Sequence, residues 1–399
     1  MRLGMMADVY KPHISGITNY IEANKRHLEK TGHEVFVFTF GDDGYRDDES
    51  NIIRSPGLPL VDTGYFLSFQ YSREARALLQ TMDLVHVHHP FLSGRLALRY
   101  CRPFDIPIIF TNHTRYDLYA QVYLPGIPPG ISRGLLETYM PDFCATIDLV
   151  VSPSAGMEQV LRSFHVDVPI TIVPNGVDIG RFLNSSNPAG RTELGLAPDD
   201  ILLVYAGRLA PEKNLSFLLN AFAGVADTLD NLHLLLIGMG PEREKLEEQA
   251  RQSGQSRRVH FSGQVSYEKL PELLAMCDLF VTASVSEVHP LSVIEAMAAG
   301  LPVLGIRSVG VGDIVCDGVT GLLARQDTAA FAAALTHLCL DAPLRRRMSR
   351  AARKEARKYA IERTCAVMAD HYQRLVAEGK ARKTDRRVRV PRLPENPRL

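Results

Sequence analysis

Two glutamates in the segment SEVHPLSVIEAMAAGLPVLG are well placed to bind a polar substrate. Glu287 follows an apolar run predicted to be a strand, and Glu295 lies in a helix that begins at Pro290. Leu291 and Ser292 would offer backbone N–H groups at the start of that helix. Because Glu295 stands within the apolar run VIEAMAAG, its carboxylate needs a partner. One carboxylate could hold sugar hydroxyls and the other a ribose.

Two further segments have the residue types that bind phosphate. In GRLAPEKN, Arg208 and Lys213 follow a predicted strand, and a planar guanidinium beside an ammonium suits a diphosphate. In DVYKPHISGITNYI, Gly16 comes just before a predicted helix, where backbone N–H groups can approach an anion. The second motif is not GxGxxG, so a nicotinamide or flavin site of the usual kind is disfavoured. Taken alone, two loop cations are more often solvated surface, and Gly16 is as often a plain loop glycine.

The elements that must position these residues alternate between short apolar runs and helical patterns, which is typical of parallel sheets with crossover helices. The pattern runs once to about residue 174 and restarts at Ile201, so the sequence predicts two doubly wound domains with a linker between Pro174 and Pro198. Ligands of such sheets bind beyond the carboxyl ends of the strands, which predicts a cleft between the domains. The predicted strands are Arg2–Ala7, Glu34–Phe40, Leu84–His88, Pro107–Thr111, Leu149–Ser152, Thr171–Pro174, Ile201–Ala206, Leu232–Ile237, Val259–Ser262, Leu279–Ala283 and Pro302–Gly305.

Composition restricts the class of protein further. The 399 residues are 46% hydrophobic and 23% charged, as in a globular protein, and the formal net charge is zero. Residues 341–399 carry 18 basic against 7 acidic residues, a local charge of +11, so residues 1–340 carry −11. Such a basic block suggests contact with an anionic surface. The six cysteines form no CxxC pair and no cluster with histidine at metal-ligand spacing, so a structural zinc site is not expected.

The sequence also bears on location. The beginning, MRLGMMADVYKPH, lacks the apolar stretch of a secretory signal, and the charge-free run 118–132 is too short and too rich in proline to cross a bilayer as a helix. We therefore expect a cytoplasmic protein whose membrane contact is peripheral.

The chain resembles the retaining GT-B glycosyltransferases of family four, the glycosyl transferases group 1. The resemblance lies in the loop 12–16, PNGVD at 174–178, GRLAPEKN at 207–214, the Glu-x7-Glu pair and GDIVCDGVTGLL at 312–323. It implies a GT-B fold, with two Rossmann-like domains facing across a cleft. It also implies that the C-terminal domain binds a nucleotide-sugar donor, a UDP-sugar, and that the N-terminal domain binds the acceptor. Transfer would retain the configuration at the anomeric carbon and would need no metal or other cofactor.

The resemblance also implies roles for individual residues. Arg208 and Lys213 would bind the diphosphate, and Gly16 would offer its backbone N–H to the same group. Glu287 would bind hydroxyls of the hexose, and Glu295 would bind those of the ribose. The loop at Gln264 and Val265 would surround the base, and His113 would face the donor sugar. Two departures from the family pattern stand out. Ser15–Gly16 replaces paired glycines, and His289–Pro290 replaces the usual pair after the first glutamate. His289 either contacts the sugar or packs.

The acceptor prediction depends on the segment TNHTRYDLYAQVYLPGIPPGI, which resembles the HTRY region of diacylglycerol glucosyltransferases. We expect the acceptor to contact His113, Arg115, Tyr116, Tyr119 and Tyr123; the three tyrosines share one helical face, although a stripe at that spacing is more often core. With the basic block, this segment favours transfer of glucose to a membrane lipid, 1,2-diacylglycerol, at an anionic membrane surface.

Several alternatives remain open at the level of sequence. A soluble sugar or a phosphoinositide-type acceptor fits the donor motifs equally well. A nucleotide-sugar epimerase or a non-catalytic sensor would share the fold. No module for nucleic-acid binding is apparent. The predicted divisions are residues 1–175 for the acceptor domain, 176–360 for the donor domain, 361–378 for a helix crossing back to the first domain, and 379–399 for a disordered basic tail.

Overall fold

The structure is a computed structural model that describes residues 1–42, 45–59, 66–123, 126–183, 185–186 and 190–389, with only the backbone considered from 381 to 389. Its strands are β1 Arg2–Met6, β2 Glu34–Gly41, β3 Ile52–Pro56, β4 Leu58–Pro59, β5 Phe66–Leu67, β6 Leu84–Val87, β7 Ile108–Thr111, β8 Leu149–Ser152, β9 Ile170–Ile172, β10 Ile201–Ala206, β11 Leu232–Ile237, β12 Val259–Gly263, β13 Leu279–Thr282, β14 Val303–Ile306 and β15 Gly321–Ala324. Its α-helices are α1 Gly16–Lys30, α2 Arg73–Leu79, α3 Leu92–Tyr100, α4 Tyr116–Tyr123, α5 Pro129–Ala145, α6 Ala155–Ser163, α7 Gly180–Leu183, α8 Gly190–Glu193, α9 Leu215–Ala226, α10 Arg243–Gln252, α11 Leu270–Ala275, α12 Leu291–Ala299, α13 Val311–Ile314, α14 Thr328–Leu340, α15 Ala342–Ala356 and α16 Ile361–Arg389.

The larger strands form two parallel sheets. Seven strands lie in the order β3-β2-β1-β6-β7-β8-β9, and six lie in the order β12-β11-β10-β13-β14-β15, while β4 and β5 form a short antiparallel pair. In each sheet the strand order reverses beside the first strand, which places a crevice at the carboxyl ends of β1 and β6 and another at those of β10 and β13. The predicted α/β class and doubly wound sheets are confirmed.

The eleven predicted strands are present with ends shifted by at most two residues, but β3 and β15 of the parallel sheets and the short pair β4 and β5 were missed. The run Ile52–Pro56 contains a charged residue and a proline, which is tolerated because β3 is an edge strand paired only with β2. Strand β15 is four residues long and lies beside β14 at the other edge of its sheet. Ile52–Pro56 therefore lacks the uniform apolar character that identified the central strands, whereas Gly321–Ala324 is apolar but contains a glycine, a residue that is depleted in strands.

The linker after the first sheet belongs to the second domain. Val177, Ile179 and Phe182 are buried in the core formed by β10, β11 and α12. The backbone of Val177 also pairs with Ala360, just before α16 begins. The chain therefore enters and leaves the second domain at neighbouring points.

The last helix, α16, begins after the second domain and packs against the first. Met368, Tyr372, Leu375 and Val376 are buried against α1 and β1, so this helix ties the two domains together. The structure differs from the predicted disordered tail, because α16 continues as helix to Arg389. Basic residues that have little to bury can still extend a helix whose first turns are packed. Residues 390–399 of the predicted tail lie outside the described residues.

No helix in the described part of the chain is both long enough and apolar enough to span a membrane.

Candidate active site in the interdomain cleft

A half-buried ion pair lies at the centre of the predicted donor side. Lys213 ends a single 3₁₀ turn after β10, Glu287 lies in the loop after β13, and these strands are neighbours in the sheet. The Nζ of Lys213 is 2.7 Å from Oε1 of Glu287, with side chains 16% and 20% exposed. Burial alone would lower the pKa of Lys213, but the Glu287 carboxylate outweighs it and the pKa is raised above its ordinary value. The ammonium is therefore charged when a substrate arrives.

Arg208 is the second predicted phosphate ligand, and it lies exposed on the same rim of the sheet. It makes no ion pair with any described residue, so its guanidinium is available to an incoming anion. The pKa of His13 in the first domain is lowered by the burial of that histidine and by the positive charge of Arg208. The Arg208 side chain therefore faces the first domain at close range. The loop before α1 therefore lies opposite the loop that carries Arg208 and Lys213.

Gly16 is the first residue of α1, and the structure explains why serine precedes it. Ser15 caps the helix by accepting from the Thr18 N–H at 3.3 Å, and its own N–H donates to the Thr18 hydroxyl at 2.7 Å. This arrangement leaves the N–H groups of Gly16 and Ile17 at the positive end of the helix. No described atom lies within 4 Å of the position that a Cβ on Gly16 would occupy. The site therefore leaves room beside this backbone.

Glu295 is buried in α12, 5% exposed, and its carboxylate has the partner that the sequence demanded. Tyr267 donates a hydrogen bond to it from the loop after β12. Burial raises the pKa of Glu295 to about 7, although this hydrogen bond opposes the rise. The ring of Tyr267 packs edge-on against Phe182 and under the guanidinium of Arg181. Tyr267 was not predicted from the sequence. Its position two residues after Val265, in the loop predicted to bind the base, could have pointed to it.

The remaining donor residues take different positions. Leu291 and Ser292 are half-buried at the N-terminus of α12, whose N-cap, Pro290, supplies no side-chain hydrogen bond. Gln264 is exposed and Val265 half-buried in the loop after β12. His289 packs: it is 5% exposed, its ring lies edge-on to Tyr359 at 5.2 Å, and burial lowers its pKa to about 4. Of the two alternatives that the sequence left open for His289, this arrangement favours packing.

Two loops of the second domain approach each other too closely for side chains. A Cβ on Gly238 would run into the carbonyl of Gly207, and one on Gly240 would run into the carbonyl of Leu209. Gly238 also has φ of 140°, a backbone conformation that favours glycine. This close contact fixes the loop that carries Arg208 at the edge of the cleft.

The acceptor side is built from uncharged and paired groups. His113 follows β7, is half-buried, and packs 4.6 Å from the ring of Tyr20. Its Nε2 is 3.1 Å from Nδ1 of the fully buried His88. Burial lowers the pKa values of both histidines well below the ordinary range, so the pair is neutral. The guanidinium of Arg115 is held by both carboxylate oxygens of Asp117, at 2.9 and 2.7 Å.

The three predicted tyrosines divide between two contacts. Tyr116 packs edge-on against Phe91 at 5.0 Å within the first domain. Tyr119 and Tyr123 stack on each other at 5.7 Å and face the second domain. The hydroxyl of Tyr123 donates to Oε2 of Glu212 at 2.7 Å, and the charges of Lys213 and Glu287 reach Tyr119. Helix α4 therefore lies directly over the loop after β10. Glu212 forms part of this contact, and its role was not predicted from the sequence.

Among the described residues, no group of three or more histidine, cysteine or acidic side chains is arranged to hold a metal ion.

Comparison with known proteins assigns the chain to a family. Residues 187–355 match the family described as "Glycosyl transferases group 1", and residues 14–181 match "Glycosyltransferase Family 4". The alpha-monoglucosyldiacylglycerol synthase of Streptococcus pneumoniae is 30% identical over 81% of this chain and 75% of its own length. The chain belongs to the family 4 glycosyltransferases. The predicted resemblance is thereby confirmed.

Other matches show how widely this fold is used. A D-inositol 3-phosphate glycosyltransferase of Nocardia farcinica is 32% identical over 75% of this chain and 68% of its own. The structure of sucrose-phosphate synthase from Thermosynechococcus elongatus superposes with a TM-score of 0.77 at 21% identity, covering 94% of this chain and 99% of that one. The GT-B fold is thus shown, and the protein is a glycosyltransferase.

Proposed function

We propose that this glycosyltransferase moves glucose from UDP-glucose to 1,2-diacylglycerol at an anionic membrane surface, with retention at the anomeric carbon. The name of the pneumococcal relative, a monoglucosyldiacylglycerol synthase, supports this acceptor. The basic block at residues 341–399 supports contact with anionic lipid, since each cation near such a surface contributes about 1 kcal/mol.

The surface beside α4 carries the proposal. Tyr123, Ile131 and Leu135 are 44%, 58% and 64% exposed on α4 and the first half of α5, and we call these three residues the apolar patch. The run 118–132 that contains most of it has no charged residue. Exposed apolar side chains grouped beside a binding cleft are typical of a surface that meets lipid or another apolar partner. A lipid acceptor could reach His113 from this side without leaving the membrane.

The charge of the acceptor side favours diacylglycerol over a phosphorylated acceptor. Of the residues predicted to bind acceptor, Arg115 is committed to Asp117 and His113 is neutral. A phosphate would find no free cation among them, whereas a glycerol hydroxyl needs none. This observation weighs against the inositol-phosphate acceptor named for the Nocardia relative.

The donor side supplies what the transfer requires. The sugar–phosphate bond breaks as the acceptor oxygen bonds to the same face of the anomeric carbon, and the departing phosphate oxygen takes the acceptor proton. Arg208 and Lys213 stabilise the negative charge on the diphosphate, and an oxocarbenium-like sugar is held at its hydroxyls by Glu287. Glu295 and the N-terminus of α12 would hold the nucleotide. With these two cations on the diphosphate, we expect EDTA to leave the rate unchanged.

The experiment is release of UDP from UDP-glucose, with and without vesicles of diacylglycerol in anionic lipid, with labelled glucose counted in the organic phase. We expect release that depends on the acceptor lipid and a labelled glycolipid with the α-anomeric configuration of the donor. A water-soluble product would favour a soluble acceptor, and a second UDP-sugar formed without acceptor would reveal an epimerase. UDP-glucose bound but never consumed would contradict transfer altogether.

A further inference from the structure

A chain of buried histidines leads from the last helix to the cleft. His86 and His88 lie two residues apart at the end of β6, so their rings point to the same face of the sheet, 4.3 Å between centroids. His86 accepts or donates at both nitrogens, 2.8 Å from the Tyr372 hydroxyl and 2.7 Å from the Thr111 hydroxyl. His88 has one hydrogen-bond partner among the described residues, the Nε2 of His113.

The single proton on the bond between His88 and His113 can belong to either ring. If His113 donates, the neutral His88 must carry its own proton on Nε2, which is buried and has no partner among the described residues. If His88 donates from Nδ1, its Nε2 is a bare lone pair. A buried N–H without an acceptor is rarer and more costly than a buried acceptor without a donor. The second arrangement is therefore favoured.

We propose that His88 is a positioning residue that holds His113 by donating from Nδ1 to Nε2, so that the Nδ1–H of His113 donates a hydrogen bond to the transferred sugar. This inference rests on the proposed function, in which His113 faces that sugar. Because both rings are neutral, His113 then acts as a fixed donor to a sugar hydroxyl rather than as a base. The ring of Tyr20 also packs against the imidazole of His113, 4.6 Å between centroids.

The test uses a double-mutant cycle on UDP-glucose hydrolysis and on transfer. His88→Leu should lower kcat/KM by about tenfold, the loss of one oriented hydrogen bond, while affinity for UDP, which lacks the sugar, stays within about twofold. His88→Asn keeps an N–H near the Nδ1 position and should restore most of the rate. In a His113→Ala background, His88→Leu should have no further effect.

The chain offers a matched control in its second histidine pair. The Nδ1 of His233 lies 3.2 Å from Nε2 of His260, near the amino ends of β11 and β12 and so on the opposite edge of the sheet from the cleft. His260→Leu removes the same kind of contact and should leave kcat/KM unchanged. If the His88→Leu variant does not fold, two variants of His113 test the inference instead. His113→Asn retains an N–H near Nδ1 and should exceed His113→Gln by about tenfold.

Three results would overturn the inference: equal effects of His88→Leu with and without His113, a loss of UDP affinity as large as the loss of rate, or a His113→Gln variant as active as His113→Asn. Because hydrolysis of UDP-glucose needs no acceptor, the cycle can be read even if diacylglycerol is not the acceptor. A wrong proposed function would be revealed instead by the wild-type enzyme, which would then not form a labelled glycolipid.

Discussion

The two walls of the cleft differ in charge. The wall of the second domain presents an exposed guanidinium, Arg208, and the Lys213–Glu287 pair, all at the carboxyl ends of its strands. The wall of the first domain presents neutral histidines, stacked tyrosines and a helix N-terminus at Gly16. This difference fits the proposed function, in which one wall binds a charged diphosphate and the other binds an uncharged acceptor. The predictions below separate these two roles.

The largest effect should come from the donor wall. Glu287→Gln removes the carboxylate from Lys213 and from the predicted sugar contact, and we expect transfer to fall by at least about 100-fold. Affinity for UDP should persist, because Arg208 and Lys213 remain. Steady-state rates and UDP titration measure both. Glu355→Gln is the matched control: Glu355 is also 20% exposed and pairs with a lysine at 2.6 Å, but away from the cleft. A Glu287→Gln enzyme of normal rate would remove Glu287 from the site.

The acceptor wall should be tested at the apolar patch. Replacing Ile131 and Leu135 by serine should weaken binding to diacylglycerol vesicles by about 30-fold, if each side chain contributes about 1 kcal/mol by insertion. UDP affinity should not change. Flotation with vesicles measures the partition. Leu340→Ser is the control, since Leu340 is 69% exposed on α14 of the second domain. Equal loss in the control and in the patch variant would mean that neither surface is specific.

Gly16 tests the helix that the first domain contributes to the donor. Gly16→Ala has room in the free protein, so the free energy of unfolding should change little, but a methyl group would obstruct the diphosphate. We expect KM for UDP-glucose to rise by about tenfold, the value of a lost charge-assisted hydrogen bond. Gly224→Ala, at an equally open position in α9, should leave KM unchanged. An unchanged KM in Gly16→Ala would place the diphosphate elsewhere.

The contact between the walls gives a smaller effect. Tyr123→Phe removes the hydrogen bond to Glu212 and should lower kcat/KM for transfer by about fivefold, for a bond worth about 1 kcal/mol. Tyr139→Phe removes a hydroxyl that donates at 2.6 Å to Pro90 within the first domain. It should reduce stability without reducing transfer. If both variants lose transfer equally, the effect belongs to the fold of the first domain rather than to the contact across the cleft.

The smallest effect concerns Glu295, whose pKa burial raises to about 7. In the proposed function the Glu295 carboxylate accepts hydrogen bonds from the nucleotide, so we expect its protonation as pH falls through 7 to weaken donor binding. We expect KM for UDP-glucose to rise by about threefold from pH 8 to pH 6, since a protonated carboxyl can still make one hydrogen bond. Glu295→Gln should abolish this pH dependence. A pH-dependent KM that persists in that variant would belong to another group.

The sequence predicted the fold better than it predicted the site. Parallel strands buried on both faces read as apolar runs, so the central strands were predicted, while the edge strand β3, which contains Arg54 and Pro56, lacked that signal. Arg208, Lys213 and Glu287 were predicted in the loops that follow strands, and the structure places them in the loops after β10 and β13. Tyr267, Glu212 and His88 were missed because their importance comes from partners far away in sequence: Glu295, Tyr123 and His113. Spacing alone does not reveal such pairs.

The central claim is that a neutral acceptor wall receives an uncharged lipid. The most direct measurement compares a short-chain diacylglycerol with D-inositol 3-phosphate as acceptors, at one concentration of UDP-glucose and without added metal. We expect kcat/KM for diacylglycerol to be at least about 100-fold higher, because the phosphate of the inositol would meet Arg115 already bound by Asp117. A preference for the phosphorylated acceptor would contradict it.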